Sequence, residues 1–192
     1  MKIRILLVHD IHPSDDVVKS ALEANGFYVV DQIHIAQEML PCIERCSPDL
    51  LVLDIKAPNS RVLMDIGAVN RICPLPVILF SELDLEDLAE QAVENGVSAY
   101  VVNGFESRRV EPIIKVAMAR FAKEQNLRRE LAETKQALGD RKTLDKAKGI
   151  IMQHRNCSEE EAYSVLRKQA MNQNLRVVDI ANSVISATAL LS

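Results

Sequence analysis

The chain has 192 residues, of which 48% are apolar and 4% aromatic, with no Trp; that is room for one large or two modest domains, packed mainly by Leu, Ile, Val and Ala. There is no run of eighteen apolar residues, and the stretch at Ile3 to Val8 is too short for a secretory leader. Neither a membrane span nor export is therefore expected, and the chain reads as cytoplasmic. The net charge of −4 conceals a division: 11 basic against 18 acidic residues up to Phe121, then 12 against 9. An acidic front and a basic back suggest different partners for the two halves.

The front alternates short apolar runs with amphipathic stretches. Ile3 to Val8 reads as a buried strand. Ser14 can cap a helix carrying Val17, Val18, Ala21 and Leu22 on one face, stopped by Asn25-Gly26. Phe27 to Val30 reads as a second strand, and Cys42 and Cys46 are one helical turn apart. Leu50 to Asp54 and Val77 to Ser81 are further strands, Glu86 to Glu94 is a helix ended by Asn95-Gly96, and Ala99 to Val102 is a fifth strand. Five apolar strands with helical crossovers imply an α/β fold, a doubly wound five-stranded parallel sheet. The four cysteines read as buried reduced thiols, because Cys42 and Cys46 have no second ligand pair.

After Arg108 no strand pattern remains. Ile113 to Leu138 holds no Gly or Pro and places Leu127, Leu131 and Leu138 on one narrow face among many charges. That pattern suits a long linker helix, over 108–142, able to pair with a second copy as a coiled coil. The tail reads as three helices: one continuing through Leu144, Ala147, Ile150 and Ile151; one opened by a Ser158-x-x-Glu161 capping box and carrying Ala162, Val165, Leu166 and Ala170; and one with Val177, Ile180, Ala181, Val184 and Ile185. Gly149 inside the first of these costs about 1 kcal/mol relative to Ala, a cost acceptable where another helix or a ligand approaches closely.

Ligands of open parallel sheets sit at the carboxyl ends of the strands. Here those ends carry His9-Asp10, Asp54, Ser81 and Asn103. Oxygens from two acids and a hydroxyl suit Mg2+, and Asp54 would then be a nucleophile toward phosphate. The arrangement resembles the receiver domain of response regulators over residues 1–121. The resemblance implies that Asp54 is the phosphoacceptor equivalent, Ser81 the switch hydroxyl, Tyr100 the switch aromatic and Asp10 the second acid of the pair. His9 replaces the first acid and Asn103 replaces the Lys that pairs with the phosphoryl group. Both changes weaken the site. The domain is therefore expected to act as a pseudo-receiver scaffold that docks a partner. It needs no cofactor, holds Mg2+ at Asp10 and Asp54 weakly at best, and has no catalytic residues.

The segments Leu144 to Met152, Cys157 to Tyr163, Leu166 to Met171 and Val178 to Ala181 together resemble the ANTAR domain, an RNA-binding module of transcription antiterminators, across about 141–188. The helical domain is accordingly placed at 141–192. The resemblance implies binding to leader-RNA hairpins that would otherwise favour termination. Lys142, Lys146, Lys148, Arg155, Arg167, Lys168 and Arg176 can meet phosphates, and Lys146, Lys148, Arg167, Lys168 and Arg176 are the candidate RNA contacts. Tyr163 can stack on a base, although its apolar neighbours favour a core position. Asp10-Ile-His-Pro13, Val97 to Gly104, Val116 to Phe121 and Asn156 to Tyr163 look similar to nitrate-assimilation antiterminators of the NasT type. That group implies a nitrate-sensing regulatory protein as partner, which holds the regulator inactive until nitrate or nitrite binds to it. The alternatives are a two-component regulator activated by phosphorylation at Asp54 and acting on RNA, or one acting on DNA. The last helical stretch offers only Arg176, Asn182 and a few serines for a DNA groove. An enzyme is not expected, since no nucleophile–base pair or phosphate loop appears.

Overall fold

The computed structural model describes residues 2–10, 17–83, 86–103 and 105–189, which form two compact units, Met1–Gln125 and Asn126–Ser192. Ser14, Ile11 to Pro13 and Gly104 lie outside the described residues.

The first unit is a parallel sheet of β1 (Arg4–His9), β2 (Tyr28–His34), β3 (Leu50–Asp54), β4 (Val77–Ser81) and β5 (Ala99–Val102), in the order β2-β1-β3-β4-β5. Its crossovers are α1 (Val17–Ala24), α2 (Met39–Cys46), α3 (Ser60–Ile72) and α4 (Glu86–Glu94), followed by α5 (Ser107–Arg155). Successive strand side chains alternate between the two faces, which separates two cores. Leu6, Val8, Leu51, Leu53, Val77 and Leu79 meet α2, α3 and α4. Ile5, Leu7, Leu50, Val52, Ile78 and Phe80 meet Leu22 of α1 and Val110, Ile114 and Ala117 of α5.

Two details depart from the sequence reading. β2 runs on to His34, and its pairing with β1 jumps from Ile5↔Val29 to Leu6↔Asp31. The extra residue, Val30, turns the strand over, so Val29 faces one core and Ile33 the other. A bulge of this kind breaks the period-2 pattern by which a strand is recognised. Val17 is 68% exposed, so the buried stripe of α1 is Ala21 and Leu22.

The strand order reverses between β1 and β3, and their paired ends are His9 and Asp54. The corner at these carboxyl ends is where the topology puts a site.

The second unit is helical. α5 runs unbroken from Ser107 to Arg155 and therefore joins the linker helix to the first helix of the tail. α6 (Glu159–Gln173) and α7 (Val177–Ala189) follow. Ala147 and Ile151 of α5, Ala162, Leu166 and Ala170 of α6, and Ile180 and Ala181 of α7 form its core. The Ser158 hydroxyl accepts from the Glu161 N–H at 3.3 Å, while the Glu161 carboxylate accepts from the Ser158 N–H at 2.8 Å, a complete capping box. No described helix is long and apolar enough to cross a membrane.

Candidate functional site

The acidic corner gathers Asp10, Asp54 and Ser81. Asp10 is fixed by a hydrogen bond from the Lys56 N–H to its Oδ2 at 2.9 Å. Its Oδ1 is buried and has no hydrogen-bond partner among the described residues. Burial raises the Asp54 carboxyl above its ordinary pKa, and the charges of Asp10 and Glu82 raise it further. Lys56 and His9 oppose that shift. The Lys56 ammonium is 3.9 Å from Glu82.

These groups fit one weakly held hard cation. An orphaned carboxylate oxygen and a destabilised carboxylate are two oxygen donors that Mg2+ would neutralise, and Asp10 and Asp54 are the residues that would hold it. His9 supplies no third carboxylate there. Its ring instead meets His34 edge-on, with centroids 6.1 Å apart. No group of three or more His, Cys, Asp or Glu among the described residues could hold a metal.

Ser81 is 1% exposed, and its hydroxyl is committed to main chain. It donates to the Leu83 carbonyl at 2.9 Å and lies 3.3 Å from the Lys56 carbonyl. The Tyr100 hydroxyl donates to the same Leu83 carbonyl at 3.1 Å. Asn103 is exposed, with φ at +70°, a left-handed conformation that Asn tolerates. It brings no charge to the corner.

All four cysteines are free; Cys42 is buried and Cys46, Cys73 and Cys157 are half-buried. The Cys42–Cys46 turn faces Asp31 and Arg45, which pair at 2.5 Å, and Cys46 Sγ is 3.7 Å from Asp31.

The cations of the second unit differ in their engagement. Lys148 is held between Asp145 at 2.7 Å and Glu159 at 2.6 Å, and its side chain is only 16% exposed. These two partners raise its pKa, Asp145 most. The Arg176 guanidinium forks onto both oxygens of Asp179, at 3.1 and 2.9 Å. Lys146, Arg167 and Lys168 are exposed and make no ion pair among the described residues. Lys142 and Arg155 are exposed as well. Tyr163 is 43% exposed and takes no part in the core, which overturns the expectation of a buried ring. Ala162 occupies the inward position instead.

Sequence reasoning missed Lys56 and Leu83, whose main-chain groups bind Asp10, Ser81 and Tyr100. Backbone partners leave no signature in residue identity.

Comparison with known proteins reaches both units. A family model described as the ANTAR domain matches residues 132–185. The transcriptional regulatory protein PdtaR of Mycobacterium tuberculosis is 26% identical across 95% of this chain and 89% of its own length. The nitrate regulatory protein of Klebsiella oxytoca is 42% identical over 66 residues, which is 34% of this chain and 17% of that protein. The crystal structure of a CheY-like response regulator receiver domain protein from Methanospirillum hungatei matches with a TM-score of 0.54 at 24% identity, covering 65% of this chain and 99% of its own. That likeness establishes the α/β fold of the first unit.

Proposed function

We propose that this chain, an ANTAR-domain response regulator built on a receiver-like α/β domain, binds hairpins in leader RNA and so prevents a terminator from forming. The observation that carries this reading is the three-helix tail. It coincides with the ANTAR match and leaves Lys146, Arg167 and Lys168 exposed, without carboxylate partners among the described residues. Unpaired cations can release counterions from a phosphate backbone, which is the main source of nucleic-acid affinity. Lys148 and Arg176 would have to give up Asp145, Glu159 or Asp179 to do the same, so in this reading they hold the tail together first and touch RNA second.

The acidic corner favours docking over phosphotransfer. Asn103 places no cation to meet phosphoryl oxygens, and the Ser81 hydroxyl is already bonded. The first unit then serves to bind a regulatory protein. The similarity to a nitrate regulatory protein supports nitrate or nitrite assimilation genes as targets. The partner in this reading is a nitrate sensor that covers the cations until it binds nitrate. The exposed Leu127, Leu131 and Leu138 of α5, each 54–55% accessible, support pairing with a second copy.

The experiment is in vitro transcription through a leader carrying a terminator. The chain should raise read-through, and Lys146→Ala with Arg167→Ala and Lys168→Ala should abolish the increase. Added sensor should suppress read-through and nitrate should restore it. Read-through indifferent to the unsubstituted chain refutes antitermination, and indifference to the sensor refutes the regulatory part alone.

A further inference from the structure

The leucine seam of α5 runs into charge at both ends. Leu127, Leu131 and Leu138 are 54–55% exposed, and Thr134 stands among them. Arg120 and Glu124 precede them and Arg141 and Asp145 follow, all exposed. The spacing alternates between four and three, and a helix turns by about 100° per residue, so these positions fall within an arc of about 100°. None of them enters the cores that α5 reaches through Ile114 and Ala117 or through Ala147 and Ile151. The face has its midpoint between Ala132 and Glu133, and the charges about it are opposite in sign. Arg120 and Asp145 are equidistant from that point, as are Glu124 and Arg141, Leu127 and Leu138, and Leu131 and Thr134.

We propose that the α5 helices of two copies pack antiparallel about this midpoint. This rests on the pairing of two copies put forward above and adds its direction. In that register Arg120 meets Asp145 of the second copy, Glu124 meets Arg141, Leu127 meets Leu138 and Leu131 meets Thr134, and twofold symmetry makes each contact occur twice. The Thr134 hydroxyl donates to the Glu130 carbonyl at 2.8 Å, so it needs no partner among the leucines. Asp145 lies 2.7 Å from Lys148 and is still 55% exposed, which leaves room for a second cation. An in-register parallel pair does the reverse. Each residue then meets itself, and Arg120, Glu124, Arg141 and Asp145 all face like charges along the seam. Repulsion of this kind selects against a wrong arrangement as effectively as attraction selects the right one. On one flank of the antiparallel pair Arg128 faces Lys135, but these are rim positions whose long side chains can turn to solvent. The parallel pair carries a like contact of its own there, Lys123 against Arg128. Antiparallel packing sets the two Asp145 positions about 37 Å apart along the helix axis, so the tails leave from opposite ends of the paired stretch.

The test exchanges the charges of one contact in the full chain. Sedimentation equilibrium at low salt gives the dimer dissociation constant of the parent, Glu124→Arg, Arg141→Glu and the variant carrying both changes. Either single change turns two attractive contacts into two repulsive ones and should raise the constant by about 4- to 30-fold. The double variant should return to within about threefold of the parent. Circular dichroism of each variant separates a lost contact from a lost fold. In a parallel pair either change replaces one like contact with another. Four constants that agree within about threefold therefore overturn the antiparallel direction while pairing stands, and so does a double variant no tighter than the singles. A parent that stays monomeric overturns the pairing and this inference with it.

Discussion

Gly149 offers a test in which stability and binding should move in opposite directions. A Cβ built at this position meets nothing within 4 Å, and the same is true of Gly139 ten residues earlier on α5. Among the described residues nothing packs on Gly149, which leaves room for a ligand there in the RNA-binding reading. An interior glycine costs a helix about 0.8–1.0 kcal/mol relative to alanine. Gly149→Ala should therefore stabilise the second unit by about 1 kcal/mol, and Gly139→Ala by the same amount. The two sites are far enough apart to add within about 0.5 kcal/mol. In thermal melts followed by circular dichroism, each change should raise the midpoint by about 4–8 °C if the small unit melts alone, or about 2–4 °C if the chain melts as one. Lys142 and Lys146 precede Gly149 by seven and three positions and Gln153 follows it by four, all exposed and on one side of the helix. The glycine thus bares backbone in a row of polar side chains. Titration with hairpin RNA should show Gly149→Ala binding more weakly than the parent despite its higher melting point. A lower melting point in either variant would refute the stability argument. Unchanged RNA affinity in Gly149→Ala would refute close approach of the ligand.

Other measurements address the remaining features. Asp54→Asn should stabilise the first unit by on the order of 1 kcal/mol at neutral pH. The folded pKa lies above the ordinary 3.8, so ionisation of Asp54 weakens the fold as pH rises, and the advantage of Asn should disappear in melts below about pH 3.8. A constant advantage at all pH values would contradict this. Ser158→Ala should cost about 1 kcal/mol by removing the cap of α6. Glu161 is held below the usual carboxylate range by the Ser158 N–H, so its contribution is present at neutral pH and is lost as pH falls through that lowered pKa; Glu161→Gln should flatten the acid limb of the unfolding profile. Beryllofluoride with Mg2+ should leave the sedimentation and RNA affinity of the parent unchanged, and a clear response would restore phosphorylation at Asp54 as the signal. Leu131→Lys should shift sedimentation toward the monomer if the α5 seam pairs two copies.

Much of the first unit was legible because its physics is local. β3, β4, α4 and β5 have the limits that apolar runs and Asn-Gly stops indicate. α2 and α3 were not located from periodicity. Pro41 interrupts the first turn of α2, and the cap of α3 is the single Asn59 side chain, which accepts from the Val62 N–H. The candidate contacts were legible as residue types but not as available charges. Lys148 meets Glu159 from another helix, eleven positions away, and only tertiary packing brings the two together. Tyr163 misled for the related reason that helical phase, rather than apolar neighbours, decides which side of α6 faces inward.

The shared oxygen of Leu83 has a mechanical consequence. Ser81 and Tyr100 are the two groups that a toggling receiver would move, and here one peptide carbonyl tethers both. Swinging the buried hydroxyl away forfeits a contact whose loss costs about 1–3 kcal/mol, which holds the swung arrangement to roughly 15 per cent or less. In the docking reading proposed above, that tether makes the front of the molecule a latched handle, one that a partner would grasp without first having to shift a moving part.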